Sequence, residues 1–301
     1  MNKITVGVIG AGYMGRNHIK TYSEMDNVDL VGYYDPYVNE NINSPSLESV
    51  VELASVCDCI SICSPTTLHY QQAIELLDYQ CHLLIEKPVS SSIEEQIEIQ
   101  QVASSNNLIV QVGFVEQYNP VTDFINTHLR NPDFISCVRI SPFSSRGSDV
   151  GVDQDLSVHD VGILLSCFDS DPKVNSFYSE SCLQFSEGAD VANGIIEFDN
   201  KKALLLTHRL GARRSRQITV HKSGATYCFD LIKKEGSLLT EVGPQNLKLP
   251  SINPLKNQLE TFIDCVANNS KPKFGIDFSI KVASLIDSLN NNENNNEKNN
   301  S

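Results

Sequence analysis

Ile4-Thr5-Val6-Gly7-Val8-Ile9-Gly10-Ala11-Gly12-Tyr13-Met14-Gly15 is the stretch whose reading decides the fold. A short apolar run passes directly into Gly-x-Gly-x-x-Gly, and a helical pattern opens at Tyr13. In that context the first glycine makes the tight turn and the second lets the backbone approach a pyrophosphate. The third lets helix pack closely on strand. The helix amino end, with its N–H groups and dipole, then receives the anion. Asp35 closes the next apolar run twenty residues past Gly15, where a carboxylate meets the adenosine ribose hydroxyls. Pro36 and Tyr37 follow, with no arginine to hold a 2′-phosphate. The expectation is therefore NAD, bound by Gly10, Gly12, Tyr13, Met14, Gly15 and Asp35. The plainer alternative is a glycine turn with no ligand and Asp35 as a solvated loop residue.

Outward from this motif, apolar runs at Ile4–Ile9, Val28–Tyr34, Cys57–Cys63, His82–Glu86 and Leu108–Phe114 alternate with helical patterns at Tyr13–Met25, Leu47–Ala54, Thr66–Leu77 and Ile93–Ser104. Ser92 with Glu95 predicts a capping box for the last helix. Strands alternating with helices imply a doubly wound parallel sheet over residues 1–118. After Asn119-Pro120 the rhythm changes. Pro120 opens a helix, Phe134–Ser141 is a strand, and Leu156–Phe168 is a second helix. Strand signals then run from Val174 to Glu241, with turns at Lys201 and Ser223-Gly224, before helices at Pro254–Val266 and Phe278–Leu289. Residues 119–289 therefore read as an α+β domain with a largely antiparallel open sheet. The Asn-rich stretch 290–301 has nothing to bury and is expected to be disordered.

The chain has 301 residues and a formal net charge of -14. So acidic a surface argues against nucleic acid, which rewards clustered Lys and Arg. No stretch approaches the roughly 20 apolar residues of a membrane span. The amino terminus runs straight into a strand-like segment that signal cleavage would remove, so no secretory signal is expected. Nine cysteines without framework spacing fit a reducing compartment, so the expected location is the cytoplasm. Cys57, Cys59 and Cys63 alternate along one strand and read as buried thiols. No metal site is expected.

Two further stretches carry candidate chemistry. Glu86-Lys87-Pro88 ends the fourth strand, and ligands of open parallel sheets bind beyond the carboxyl ends of strands. There the Lys87 ammonium can hold a substrate hydroxyl and ease its deprotonation. Asp155-Leu156-Ser157-Val158-His159-Asp160 sets a carboxylate and an imidazole four residues apart, on one face of a helix. His159 is the natural proton acceptor near neutral pH. Lys87 as an ordinary strand end, and Asp155 as a first-turn charge, are the plainer alternatives.

Together these stretches resemble the glucose–fructose oxidoreductase / inositol dehydrogenase / MocA (Gfo/Idh/MocA) family. The resemblance rests on Gly10–Gly15 with His18, Ser64-Pro65-Thr66-Thr67 with His69, Glu86-Lys87-Pro88, and Asp155 with His159. It implies a Rossmann domain, with Ser64, Pro65, Thr66, His69, Glu86 and Lys87 added to the cofactor residues. It also implies that Lys87 and His159 flank the oxidised carbon, with His159 as base and Asp155 binding substrate or orienting the histidine. The stretches 112–120, 139–142, 149–152 and 254–262 are similar to the branch that oxidises UDP-N-acetylglucosamine at C3. The sequence departs from that branch at Phe114 (histidine expected), at Gln117 (arginine expected) and at Gln154, which interrupts an apolar stretch.

A nucleotide-sugar substrate brings a diphosphate and calls for local cations. Arg139 and Arg146 lie before Asp155, and Arg209, Arg213, Arg214 and Arg216 lie beyond it. Tyr118 and Asn119 are candidates for the sugar, and Asn119 equally for capping the helix at Pro120. The rival readings are an inositol or polyol dehydrogenase, a catalytically silent NAD-binding sensor, and a scaffold recruiting through the Asn-rich tail. Retention of Lys87, Asp155 and His159 argues for an enzyme. The resemblance also implies a homo-oligomer, a dimer or tetramer built on the open sheet face.

Overall fold

The computed structural model describes residues 3–38, 42, 44–144, 150–184, 186 and 188–299, with side chains described as far as residue 292. The chain divides into two compact units, residues 1–115 with 253–280, and residues 116–252 with 281–301.

In the first unit the strands are β1 (Ile4–Ile9), β2 (Val28–Tyr34), β3 (Cys59–Ile62), β4 (His82–Ile85) and β5 (Val110–Val112). All pair in parallel, in the order β2-β1-β3-β4-β5. The helices between them are α1 (Tyr13–Ser23), α2 (Val50–Ala54), α3 (Thr66–Asp78) and α4 (Ile93–Ser105). Cys59, Ile60, Ser61 and Ile62 are all buried. Helices cover both faces of such a sheet, so its inner strands show no polar alternation. At α4 the Ser92 hydroxyl accepts the Glu95 N–H. The Glu95 carboxylate reaches back to the N–H of Ser91, one residue before the cap.

The second unit opens with a 3₁₀ turn, Val115–Tyr118, and α5 (Pro120–His128), followed by β6 (Phe134–Ile140). A π-helical turn, Asp153–Ser157, runs into α6 (Val158–Cys167). This replaces the expected α-helical start at Leu156. Then come β7 (Pro172–Glu180), β8 (Val191–Phe198), β9 (Lys201–His208), β10 (Ser215–Lys222), β11 (Ala225–Asp230), β12 (Glu235–Thr240) and β13 (Gly243–Asn246). They form an eight-stranded sheet in the order β13-β12-β11-β10-β6-β9-β8-β7. Only β6 and β9 pair in parallel. Lys201 is not in the turn but begins β9 opposite Phe198. The turn is Asp199-Asn200, with Asp199 in the left-handed region at φ 56°, which aspartate tolerates.

The last helices are α7 (Pro254–Ala267) and α8 (Ile276–Asn299). Residues 253–280 belong to the first unit, whereas the sequence placed them in the second domain. There Leu259, Phe262 and Ile263 of α7 join a core with Val6, Val8, Ile19, Tyr22 and Leu84. The α8 helix also continues through the stretch expected to be disordered. Leu289 is buried, and Asn290 donates to the Asp153 carboxylate at 3.1 Å. Extending a helix already nucleated by packed turns costs little, even through asparagine.

Candidate functional site

The glycine turn is built as its sequence demands. Gly10 sits at φ +88°, and a Cβ there would lie 2.7 Å from the backbone of Cys63 and Ser64. A Cβ on Gly15 would lie 1.7 Å from the Gly10 carbonyl oxygen. At Gly12, by contrast, a Cβ would meet nothing within 4 Å. Helix α1 starts there with no side-chain cap and no acidic residue in its first turn. The helix amino end beside Tyr13 and Met14 is thus shaped for an anion. Asp35 is locked at the end of β2. One oxygen accepts the Ala11 N–H at 2.7 Å, and the other accepts the N–H groups of Tyr37 and Val38 at 2.9 and 3.1 Å. These observations fit a dinucleotide.

The chain order reverses at β1, which lies between β2 and β3. Ligands of open parallel sheets bind at that reversal, and it brings the Gly10–Gly15 turn beside the Ser64-Pro65-Thr66 turn. The Ser64 hydroxyl donates to Gln72 at 2.6 Å, and Thr66 begins α3 without a side-chain cap. His69 is 1% exposed, with its ring nitrogens each 2.8 Å from a carbonyl oxygen, one of Ser64 and one of Pro88. Burial pushes its pKa down, against the upward pull of the Ser64 and Pro88 carbonyls and the Glu86 carboxylate. Glu86 ends β4 with its carboxylate 3.1 Å from Nε2 of the buried His18. Lys87 follows it. His18, which entered only through the resemblance, therefore has a structural partner that no local pattern announced.

In the second unit the π-helical turn and α6 carry Asp155 and His159. Both are half-buried, while Asp153, Ser157, Val158 and Asp160 around them are buried. Single π turns inside helices occur often at functional sites. Asp160 accepts Arg139 Nε and Nη2, each at 2.7 Å. Arg139 is 2% exposed, and Glu116 takes both its Nη1 and the half-buried Arg216. Burial alone would lower the Arg139 pKa, but Asp160 and Glu116 carry it upward. Burial and the Arg139 charge hold that of Arg216 down.

Arg139, expected to meet a diphosphate, is instead an internal ion pair whose donors are spent on protein carboxylates. Arg209 is likewise internal. It donates to Asp190 at 2.7 Å and to the carbonyls of Val150, Gly188 and Ala189. Arg213 and Arg214 are exposed, and Arg146 lies outside the described residues. Asn119 acts as the helix cap. Its Oδ1 accepts the Val121 N–H, and its Nδ2 donates to Glu116 and to the Leu231 carbonyl. Tyr118 is buried beside it. Phe114 packs edge-on against Phe278, 5.5 Å between centroids, in the apolar interior of the first unit. Gln117 is buried, and no partner for its Oε1 is found among the described residues.

Residues 4–114 match the family model for GFO_IDH_MocA, the oxidoreductase family's NAD-binding Rossmann fold. Over that segment the chain is similar to the NAD-binding Rossmann fold of the Gfo/Idh/MocA oxidoreductases. A UDP-N-acetylglucosamine 3-dehydrogenase of Acidithiobacillus ferrooxidans is 27% identical over 179 residues, 57% of this chain and 56% of the relative. The chain thus aligns with little more than half the length of that curated relative. A solved structure of UDP-N-acetylglucosamine 3-dehydrogenase from that organism superposes with TM-score 0.89 at 21% identity, covering 97% of this chain and 98% of the other. A 3-ketoreductase of Actinomadura kijaniata, solved with NADP and TDP-benzene, gives 0.85 at 14% identity, with coverage of 97% and 98%. The fold shared with these solved structures extends beyond residues 4–114 to nearly the whole chain.

Proposed function

We propose that this protein is an NAD-dependent dehydrogenase of a nucleotide sugar, acting at C3 of a UDP-N-acetylhexosamine such as UDP-N-acetylglucosamine. The observation that carries the reading is His159. It stays partly open to solvent beside Asp155, on a helix whose adjoining positions are buried. A group placed so can exchange protons, whereas a silent sensor has no need of it. Lys87, at the carboxyl end of β4, holds the hydroxyl oxygen and stabilises its developing negative charge. His159 takes the hydroxyl proton. A nicotinamide cofactor bound at the glycine turn would supply the hydride acceptor for the carbon-bound hydrogen. The fixed Asp35 carboxylate favours NAD, because a 2′-phosphate would meet its charge with no arginine following in sequence.

The substrate class draws on the relatives' names and on the exposed Arg213 and Arg214. With Arg139 and Arg209 spent internally, these two become the choice for the diphosphate. A free polyol would need no such cations. Self-association is a further part of the proposal. Val138 and Ile140 of β6, Ile195 of β8, and Leu204 and Leu206 of β9 share the sheet face opposite the buried one. A second copy would cover that face. Light scattering showing only the 33.3 kDa monomer at micromolar concentration would overturn this part.

The function is tested by incubating the protein with NAD and UDP-N-acetylglucosamine, UDP-N-acetylgalactosamine, UDP-glucose or inositol. Nicotinamide reduction and the mass of each product are then followed. Loss of two hydrogens from a UDP-N-acetyl sugar is the expected result. Turnover of inositol alone would keep the chemistry and overturn the substrate. Intact NAD binding without any product would favour the sensor.

A further inference from the structure

Lys87 stands between two residues that are each held by a histidine of the first unit. Before it, the Glu86 carboxylate lies 3.1 Å from Nε2 of His18, which is fully buried on α1. That carboxylate also lies across Gly113, where a Cβ would come within 2.7 Å of it. Glu86 is therefore held from two sides. After Lys87, the Pro88 carbonyl oxygen lies 2.8 Å from Nδ1 of His69. The other nitrogen of the same ring is 2.8 Å from the Ser64 carbonyl oxygen. One ring thus ties the turn after β3 to the turn after β4.

The two carbonyls constrain the protons on that ring. A carbonyl oxygen only accepts, and a neutral imidazole carries one N–H and one lone pair. A neutral ring would satisfy one carbonyl and set its lone pair against the other, with the site closed to water. A doubly protonated ring would donate to both, but burial outweighs the neighbouring carbonyls and carboxylate and holds the ring's pKa below its ordinary value. Burial opposes the charge. The Glu86 carboxylate at the end of β4 and the backbone of Ser64, Pro88 and Val89 favour it.

We propose that His18 and His69 are positioning residues that frame Lys87 from both sides. The inference rests on the role given to Lys87 above, and it identifies what holds that lysine in place. His18 acts through Glu86, and His69 acts through the backbone on either side of the crevice of the first unit.

Two measurements test the frame without any sugar. Nitrogen-15 spectra of the histidine rings, with His69 assigned by its loss in H69Q or H69N, read the protonation directly. One fixed neutral tautomer near neutral pH, protonated a second time only below the ordinary histidine range, is the expected result. A ring exchanging freely between tautomers overturns its tie to the two carbonyls. The second measurement is the rate at which acetic anhydride labels Lys87 across a pH series, read by peptide mass spectrometry in wild type, H69Q and H18Q. The Lys87 rate at fixed pH is expected to change by about threefold or more in the variants, with distant lysines unchanged. An unchanged Lys87 profile in variants that still bind NADH overturns the frame. Because neither measurement involves substrate, a failed sugar panel would refute the dehydrogenase reading and leave the frame to be judged separately.

Discussion

Arg139 meets Asp160 with Nε and Nη2, both at 2.7 Å, in a site where the two side chains are 2% and 4% exposed. The pair ties β6 to α6, and α6 carries His159 at the position just before Asp160. Removing one partner of such a pair leaves a buried charge uncompensated, at a cost of about 3–5 kcal/mol. Asp160→Asn should therefore lower the unfolding free energy by about that amount, as read by urea denaturation. Combining Asp160→Leu with Arg139→Met should recover most of the loss. If the single variant matches wild type, the pair is not the strut described.

Asp35 is expected to govern nucleotide choice. Asp35→Asn keeps the shape and removes the charge, so NADH affinity should fall about tenfold, the size of one charged hydrogen bond. NADPH affinity should fall less or rise. Fluorescence titration with both nucleotides measures the ratio, and equal losses for the two would contradict the assignment.

Lys87→Ala and His159→Ala should each reduce turnover of the accepted sugar by about 100-fold or more, the usual size of acid–base contributions. NADH should still bind to both. Unchanged turnover in both variants would remove the proposed chemistry.

The buried thiols set an alkaline limit. Burial first, then neighbouring charges, pushes Cys57 up to about 12 and Cys81 up to about 11. In the unfolded chain these thiols ionise near pH ~8.5. Above that value the unfolded state binds fewer protons than the folded one, so stability falls as pH rises. The urea midpoint should hold steady up to about pH 8.5 and then decline through about pH 11. In the native protein the exposed Cys182 should react first with a disulfide reagent, well ahead of Cys57, Cys59 and Cys81.

What the sequence made legible is what short-range chemistry dictates. Gly10–Gly15, Asp35 and the cap at Ser92 each state their geometry within a few residues, and β1 and β2 fall where periodicity places them. Lys201 misled because a charged residue between two apolar runs looks like a turn, although Asp199-Asn200 makes it. The arginines misled more. Nothing local separates Arg139, paired 21 residues away, from the solvent-exposed Arg213. The partners of His69 stayed hidden because they are backbone atoms, which leave no trace in residue identity.

The return of α7 to the first unit has a consequence for the order in which the protein can be made. Leu259, Phe262 and Ile263 complete a core begun by Val6 and Val8, so the nucleotide-binding half is unfinished until α7 has left the ribosome. All strands of the second unit's sheet precede α7, whereas its closing segment 281–301 follows it. Residues 1–115 expressed alone would display the apolar seat of α7 to solvent. A cut at the first boundary would therefore yield an aggregating fragment, even though the nucleotide fingerprint lies wholly within it.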